Sequence, residues 1–69
     1  MTAASSVLLA VAAELAELAK AEMPKLNDGE VVRREWYENG MFYRETALGE
    51  DIFICQYDFR QRKSRRSAV

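Results

Sequence analysis

The sequence predicts an α+β fold: one N-terminal amphipathic helix packs on a three-stranded antiparallel β-meander, and a flexible basic C-terminal tail follows. The helix is predicted by a segment rich in Ala, Leu and Glu that holds no Gly or Pro before Pro24. The sheet is predicted by β-branched and aromatic residues from 30 to 59, interrupted by two turn signals. A chain of 69 residues forms one small domain. We place that domain at residues 1–59 and the tail at residues 60–69.

The helix is predicted over about residues 5–22. Ser5 or Ser6 suits the N-cap position, and Pro24 ends the helix because it lacks a backbone N–H. Four aliphatic residues at spacings of three, four and three form one stripe: Leu8, Val11, Leu15 and Leu18. We expect this stripe to pack on the sheet. The first two turns carry no charge, so a helix-mediated dimer is the alternative.

An Asn39-Gly40 pair predicts a β-hairpin, because both residues of a type I′ turn need positive φ. A two-residue loop sets the register of the two strands. The predicted facing pairs are Tyr37 with Phe42, Trp36 with Tyr43, Glu35 with Arg44, Arg34 with Glu45, and Val32 with Ala47. Aromatic and opposite-charge pairs of this kind stabilise a hairpin, which supports the register.

A second turn at Gly49-Glu50 leads to a third strand over residues 51–59, with Ala47 opposite Ile52. Apolar side chains then lie on both faces of the sheet, and one helix covers only one face. We expect the helix to cover the face of Phe53, Cys55, Tyr57 and Phe59, and to leave the face of Trp36, Met41, Tyr43, Ile52 and Ile54 open. The opposite assignment remains the alternative.

The composition argues against an enzyme. The chain has no His, which removes His-based nucleophile pairs, general bases and imidazole metal ligands. The single Cys55 forms no intramolecular disulfide, and we expect it to be a buried, unreactive thiol. No catalytic, cofactor or metal site is predicted. The single thiol and the lack of a long apolar run predict a cytoplasmic protein that does not enter a membrane.

The charges are divided along the chain. Residues 1–59 hold five cations and all eleven acids, for a net charge of −6, whereas residues 60–69 carry +5. Spaced carboxylates can occupy a protein site made for phosphates. This character resembles that of small phage-type inhibitors, including anti-CRISPR and anti-restriction proteins, and predicts a module that blocks a nucleic-acid-binding site on another protein. The predicted partner-binding residues are Trp36, Met41, Tyr43, Glu30, Glu38, Glu45, Glu50, Asp51 and Asp58.

Two alternatives stay open. The tail could bind nucleic acid directly through salt-sensitive phosphate contacts. The residues in question are Arg60, Arg62, Lys63, Arg65 and Arg66. The chain could also form a homodimer that buries the spare sheet face, so the sequence is compatible with a monomer or a homodimer.

Overall fold

The computed structural model describes residues 3–69, and it describes their side chains from residue 13 onward. The elements are α1 (Ala3–Glu22), β1 (Val31–Glu38), β2 (Met41–Leu48), β3 (Asp51–Asp58) and β4 (Lys63–Ala68). The strands form one antiparallel sheet in the order β1-β2-β3-β4. The architecture is α+β, with four strands where the sequence predicts three.

The fourth strand replaces the predicted flexible tail. Asp58 organises the turn before it, because its Oδ1 accepts the backbone N–H groups of Arg60 at 2.8 Å and Gln61 at 3.3 Å. Arg62 completes the turn in the left-handed region with φ 55°. β4 then pairs with β3 over its whole length, although its sequence has no apolar residue before Ala68. The prediction of an unstructured tail is therefore wrong.

The β1–β2 hairpin has the predicted turn, with positive φ at Asn39 (53°) and Gly40 (77°). The four predicted facing pairs nearest the turn are confirmed, and so is Ala47 opposite Ile52. A β-bulge at Arg33 adds one residue to β1, so Val31 lies opposite Ala47. The predicted pairing of Val32 with Ala47 is wrong for this reason.

The core lies between α1 and one face of the sheet, which we call the inner face. Its buried members are Ala19, Met23, Phe42, Cys55 and Tyr57, with Ala16 and Phe59 packed against them. The expected face is therefore the covered one. The opposite side of the sheet, with Trp36 and Tyr43, is called the outer face.

α1 presents a different side to the sheet from the one predicted. Leu15 and Leu18 are 38% and 49% exposed, whereas Ala19 is fully buried. Two ionic contacts accompany this orientation of the helix: Lys20 pairs with Glu35 of β1 at 3.1 Å, and Glu22 pairs with Arg62 in the turn before β4. The prediction that the aliphatic stripe packs on the sheet is wrong for its described half.

The N-terminal half of the stripe and the proposed helix-mediated dimer depend on side chains outside the described residues, including those of Leu8 and Val11. The helix itself begins at Ala3, so Ser5 and Ser6 lie within it and are not its N-cap. Within the described part of the chain, no helix combines the length and apolarity needed to cross a membrane.

Candidate functional site

The outer face is an ordered array of side chains on four strands. Because the register is continuous from β2 to β4, its residues align in rows across the sheet. Each row takes one residue from each strand, in the order β1 to β4. The row nearest the β1–β2 and β3–β4 turns is Glu38, Met41, Asp58 and Lys63, and the second row is Trp36, Tyr43, Gln56 and Arg65. The third row, farther from these turns, is Arg34, Glu45, Ile54 and Ser67. The three residues at the centre of the outer face, Trp36, Tyr43 and Gln56, are half-buried. Trp36 stacks on Tyr43 and Gln56 bonds to Met41, whereas α1 lies on the inner face.

An aromatic pair occupies the middle of this face. The rings of Trp36 and Tyr43 stack with centroids 5.1 Å apart and an interplanar angle of 8°. The guanidinium of Arg34 lies 4.5 Å from the centroid of the Trp36 ring, and Trp36 Nε1 donates to Glu38 Oε1 at 3.2 Å. Stacking, cation–π contact and hydrogen bond together hold the indole in one orientation.

Two guanidiniums neutralise the carboxylate of Glu45 beside this pair. Arg34 Nε lies 3.1 Å from Glu45 Oε1, and Arg33 Nη1 lies 3.4 Å from Glu45 Oε2. The β-bulge brings Arg33 to the same carboxylate as Arg34, although the two residues are adjacent in β1. Glu45, a predicted partner-binding acid, therefore already has internal partners.

A groove runs along the outer face at its turn end. A cavity of about 430 Å³ is lined by residues of β2, β3, β4 and the last turn: Met41, Gln56, Asp58, Gln61, Lys63, Ser64 and Arg65. A second cavity of about 310 Å³ shares Met41, Asp58 and Gln61 with the first and extends to the Asn39-Gly40 turn. The β4 side of the groove is polar, with Lys63, Ser64 and Arg65, and the side chain of Met41 lines its β2 side.

Glu30 lies inside the protein and not on an acidic surface. Its carboxylate accepts the backbone N–H of Asn27 at 3.0 Å, accepts the hydroxyl of Thr46, and pairs with Arg66 Nη1 at 2.8 Å. The bond from Thr46 is the largest cause that lowers the pKa of Glu30 to about 2, followed by the Asn27 N–H, and burial opposes this shift. The prediction that Glu30 contacts a partner is wrong, since the residue is only 6% exposed.

The remaining predicted acids are divided between the two ends of the sheet. Glu38 and Asp58 lie at the end with the β1–β2 and β3–β4 turns, and Glu50 and Asp51 lie exposed at the β2–β3 turn. Strands of eight residues separate the two ends by roughly 25 Å, at about 3.4 Å per residue. The acids therefore form two small groups and no single compact surface.

The basic residues of the predicted tail are also divided. Arg62 Nε donates to Glu22 Oε1 at 3.0 Å, and Arg66 pairs with Glu30 and lies 4.0 Å from the centre of the Phe53 ring. These two contacts connect β4 to the end of α1 and to the loop before β1. Within residues 13–69, the other three cations of the tail have no ion-pair partner: Arg60, Lys63 and Arg65.

Glu22 joins three elements, and sequence reasoning missed it. Besides Arg62, the carboxylate accepts the hydroxyl of Tyr57 in β3. The bond to Arg62 is the main cause that lowers the pKa of Glu22, and the bond to Glu22 is the main cause that raises the pKa of Tyr57. No local pattern in the sequence marks this acid, because its two partners lie 35 and 40 positions away.

Cys55 is buried in the core, as predicted. Desolvation raises the pKa of its thiol, which keeps it protonated near neutral pH. Within the described residues, no three His, Cys, Asp or Glu side chains come together as metal ligands.

In comparisons with known proteins, no family model, curated protein or solved structure matches the chain.

Proposed function

We propose that this chain is a non-enzymatic binding module that docks a second protein through the outer face of its sheet. The observation that carries the proposal is the stacked Trp36–Tyr43 pair at the centre of that face, with Met41 and Ile54 on neighbouring strands. Aromatic residues and Met surrounded by polar groups are the usual composition of an interface centre. A few such residues commonly carry most of the binding free energy, and truncating one of them costs about 2 kcal/mol or more.

The outer face is organised before any partner arrives. The indole of Trp36 is held by Tyr43, Arg34 and Glu38, so little rotamer freedom is left to lose on binding. Glu45 is compensated by its two arginines and introduces no unpaired charge at the centre of an interface. These contacts favour a preformed protein-docking surface.

A protein partner fits this face better than a nucleic acid does. The ring of Trp36 already contacts Tyr43 and Arg34, which leaves less of it for stacking on a base. Glu38 and Asp58 lie in the row above, where they repel phosphates. Of the five cations in residues 60–69, only three have no ion-pair partner among the described residues and could contact phosphates.

A more specific version of this proposal is that the chain inhibits a nucleic-acid-binding protein by occupying its binding site. It needs carboxylates that reach a partner. Among the predicted partner-binding acids, Glu38, Glu50, Asp51 and Asp58 are not used in an ion pair within the described residues. Two of them flank the groove end of the outer face. An inhibitor of phage type would use that pair beside the aromatic centre, and the role stays a prediction.

The test is a quantitative capture with matched variants. Wild-type protein, Trp36→Ala and Leu18→Ala are immobilised, and the proteins retained from a bacterial lysate are compared by mass spectrometry. Leu18 is the control, because it is an exposed apolar residue on α1, away from the sheet. We expect a partner that wild type and Leu18→Ala retain equally and that Trp36→Ala loses by tenfold or more.

Equal retention by all three proteins would contradict the proposal. A concentration-dependent dimer that Trp36→Ala disrupts would instead assign the outer face to a second copy of the chain, and sedimentation measures this directly. DNA or RNA binding that falls steeply with salt and is lost on removal of residues 60–69 would favour the nucleic-acid alternative.

A further inference from the structure

The sheet has two edge strands, β1 and β4, and they differ in regularity. β1 is interrupted by the bulge at Arg33, a feature that blunts strand edges against pairing. β4 pairs with β3 without a register shift from Lys63 to Ala68, and all six of its residues are exposed. β4 is therefore the more regular of the two edges, and it carries the charged side chains Lys63, Arg65 and Arg66.

The hydrogen-bond pattern shows which backbone groups of β4 face outward. The N–H of Val69 donates to the carbonyl of Ile52 at 2.9 Å. Because bonded positions alternate along an antiparallel ladder, the odd-numbered residues 63, 65, 67 and 69 point their backbone groups at β3. The N–H and C=O groups of Ser64, Arg66 and Ala68 consequently face the open edge.

The charges along β4 favour one kind of strand over others. Lys63 and Arg65 lie on the outer face, exposed, with no ion-pair partner in the described part of the chain, whereas Arg66 is paired with Glu30 on the inner face. Two copies of β4 placed side by side would set cation against cation, which is destabilising. A strand that carries carboxylates would be attracted instead.

The groove beside β4 supplies room and further donors. Lys63 and Arg65 line the cavity of about 430 Å³ together with the amides of Gln56 and Gln61. Asp58 also lines this cavity, and its Oδ1 accepts the backbone N–H groups of Arg60 and Gln61. An acidic side chain at the β4 edge of the groove would meet the two cations and the two amide groups, with the Asp58 carboxylate on the β3 side. In strand addition, main-chain hydrogen bonds give affinity and such side-chain sites give specificity.

We propose that β4 is a docking edge for an extended, acidic segment of a partner protein, which adds to the sheet as a fifth strand. Its backbone pairs with Ser64, Arg66 and Ala68, and carboxylates at alternate positions reach Lys63 and Arg65. The inference goes beyond the outer-face proposal, since it uses the open backbone edge of β4 and the two cations beside it and does not use the Trp36–Tyr43 pair.

The probe is a fluorescein-labelled octapeptide that alternates glutamate with valine. Fluorescence anisotropy compares it with a peptide that has lysine in place of glutamate and with an acidic peptide N-methylated at alternate backbone nitrogens. We expect the acidic peptide to bind at least tenfold more tightly than either. Amide hydrogen exchange should slow at Ser64, Arg66 and Ala68 when it binds.

Variants of the protein separate charge from backbone pairing. Lys63→Glu combined with Arg65→Glu should reverse the preference toward the lysine peptide, whereas Lys25→Glu, an exposed charge reversal in the loop after α1, should leave it unchanged. Ser64→Pro removes one outward N–H without touching the β3 ladder and should weaken binding tenfold or more. Trp36→Ala should not affect the peptide, which separates this inference from the outer-face proposal.

Several results would overturn the inference. No binding of the acidic peptide at 1 mM, equal binding of the lysine peptide, or full binding of the N-methylated peptide would each reject strand addition at β4. A wild-type dimer that Ser64→Pro dissociates would also reject it, since the edge would then be filled by a second copy.

Discussion

The two faces of this sheet use similar residue types for different purposes. On the inner face, Phe42 and Tyr57 are each 1% exposed, and the carboxylate of Glu30 bonds to groups from two strands and a loop. On the outer face, Trp36 and Tyr43 are half-buried, stack on each other and contact Arg34 and Glu38 of the same face. Inner-face side chains hold the helix, the loop and β4 together, whereas the central side chains of the outer face stay partly exposed to solvent.

The largest expected effect compares two adjacent aromatic residues on opposite faces. Phe42→Ala leaves a cavity in the core and should lower the free energy of unfolding by about 3–5 kcal/mol. That loss is a large part of the total stability of so small a domain. Tyr43→Ala removes one stacking partner and should cost about 1 kcal/mol. Urea titration followed by circular dichroism measures both.

Similar losses for the two variants would break the comparison of the faces. A large loss for Tyr43→Ala would mean that the outer face is already covered in solution, and the loss would then depend on protein concentration. Wild-type titrations at two concentrations separate these cases.

The hairpins could be predicted from the sequence because local turn residues specify them. The Asn39-Gly40 pair has the positive φ values that a type I′ turn needs, and the register follows from the two-residue loop. The Trp36–Tyr43 pair at the centre of the candidate site follows from that register alone. The bulge at Arg33 does not, since no Gly or Pro marks it.

Neither β4 nor the rotation of α1 could be predicted from the sequence, because both depend on contacts between residues far apart in the chain. Arg62 meets Glu22 across 40 positions, and Arg66 meets Glu30 across 36. A local pattern shows the cations of a basic segment but not the carboxylates that they will meet. For the same reason the sequence predicted Glu30 to lie on the surface, although its hydrogen-bond and ion-pair partners hold it inside the protein.

The next effect concerns Glu30 and Glu45, which are the paired acids of the inner and outer faces. Glu30→Gln should lower the free energy of unfolding by about 1–3 kcal/mol at pH 7, because it weakens a charged hydrogen-bond network inside the protein. Glu45→Gln should cost less than about 1 kcal/mol, since its arginine partners are largely exposed. Urea titration at pH 7 compares them.

Glu30 also predicts a pH dependence. Its folded pKa is about 2, below the ordinary value of 4.5. Its stabilising contribution is therefore complete above about pH 5 and is lost as the pH falls from 4.5 toward 2. The stability difference between wild type and Glu30→Gln should shrink over that window, and a difference that stays constant from pH 6 to pH 3 would contradict the assignment.

The smallest effect is expected at the exposed rim of the inner face, where Arg62 meets Glu22. Arg62→Ala removes the ion pair but keeps a non-glycine residue at φ 55°, so stability should fall slightly, and less at high salt. Arg62→Gly removes the same ion pair and relieves the left-handed backbone, so it should be more stable than Arg62→Ala. If urea titration gives the opposite order, the left-handed conformation at position 62 would not be a source of strain, which would contradict the expected effect of the turn geometry.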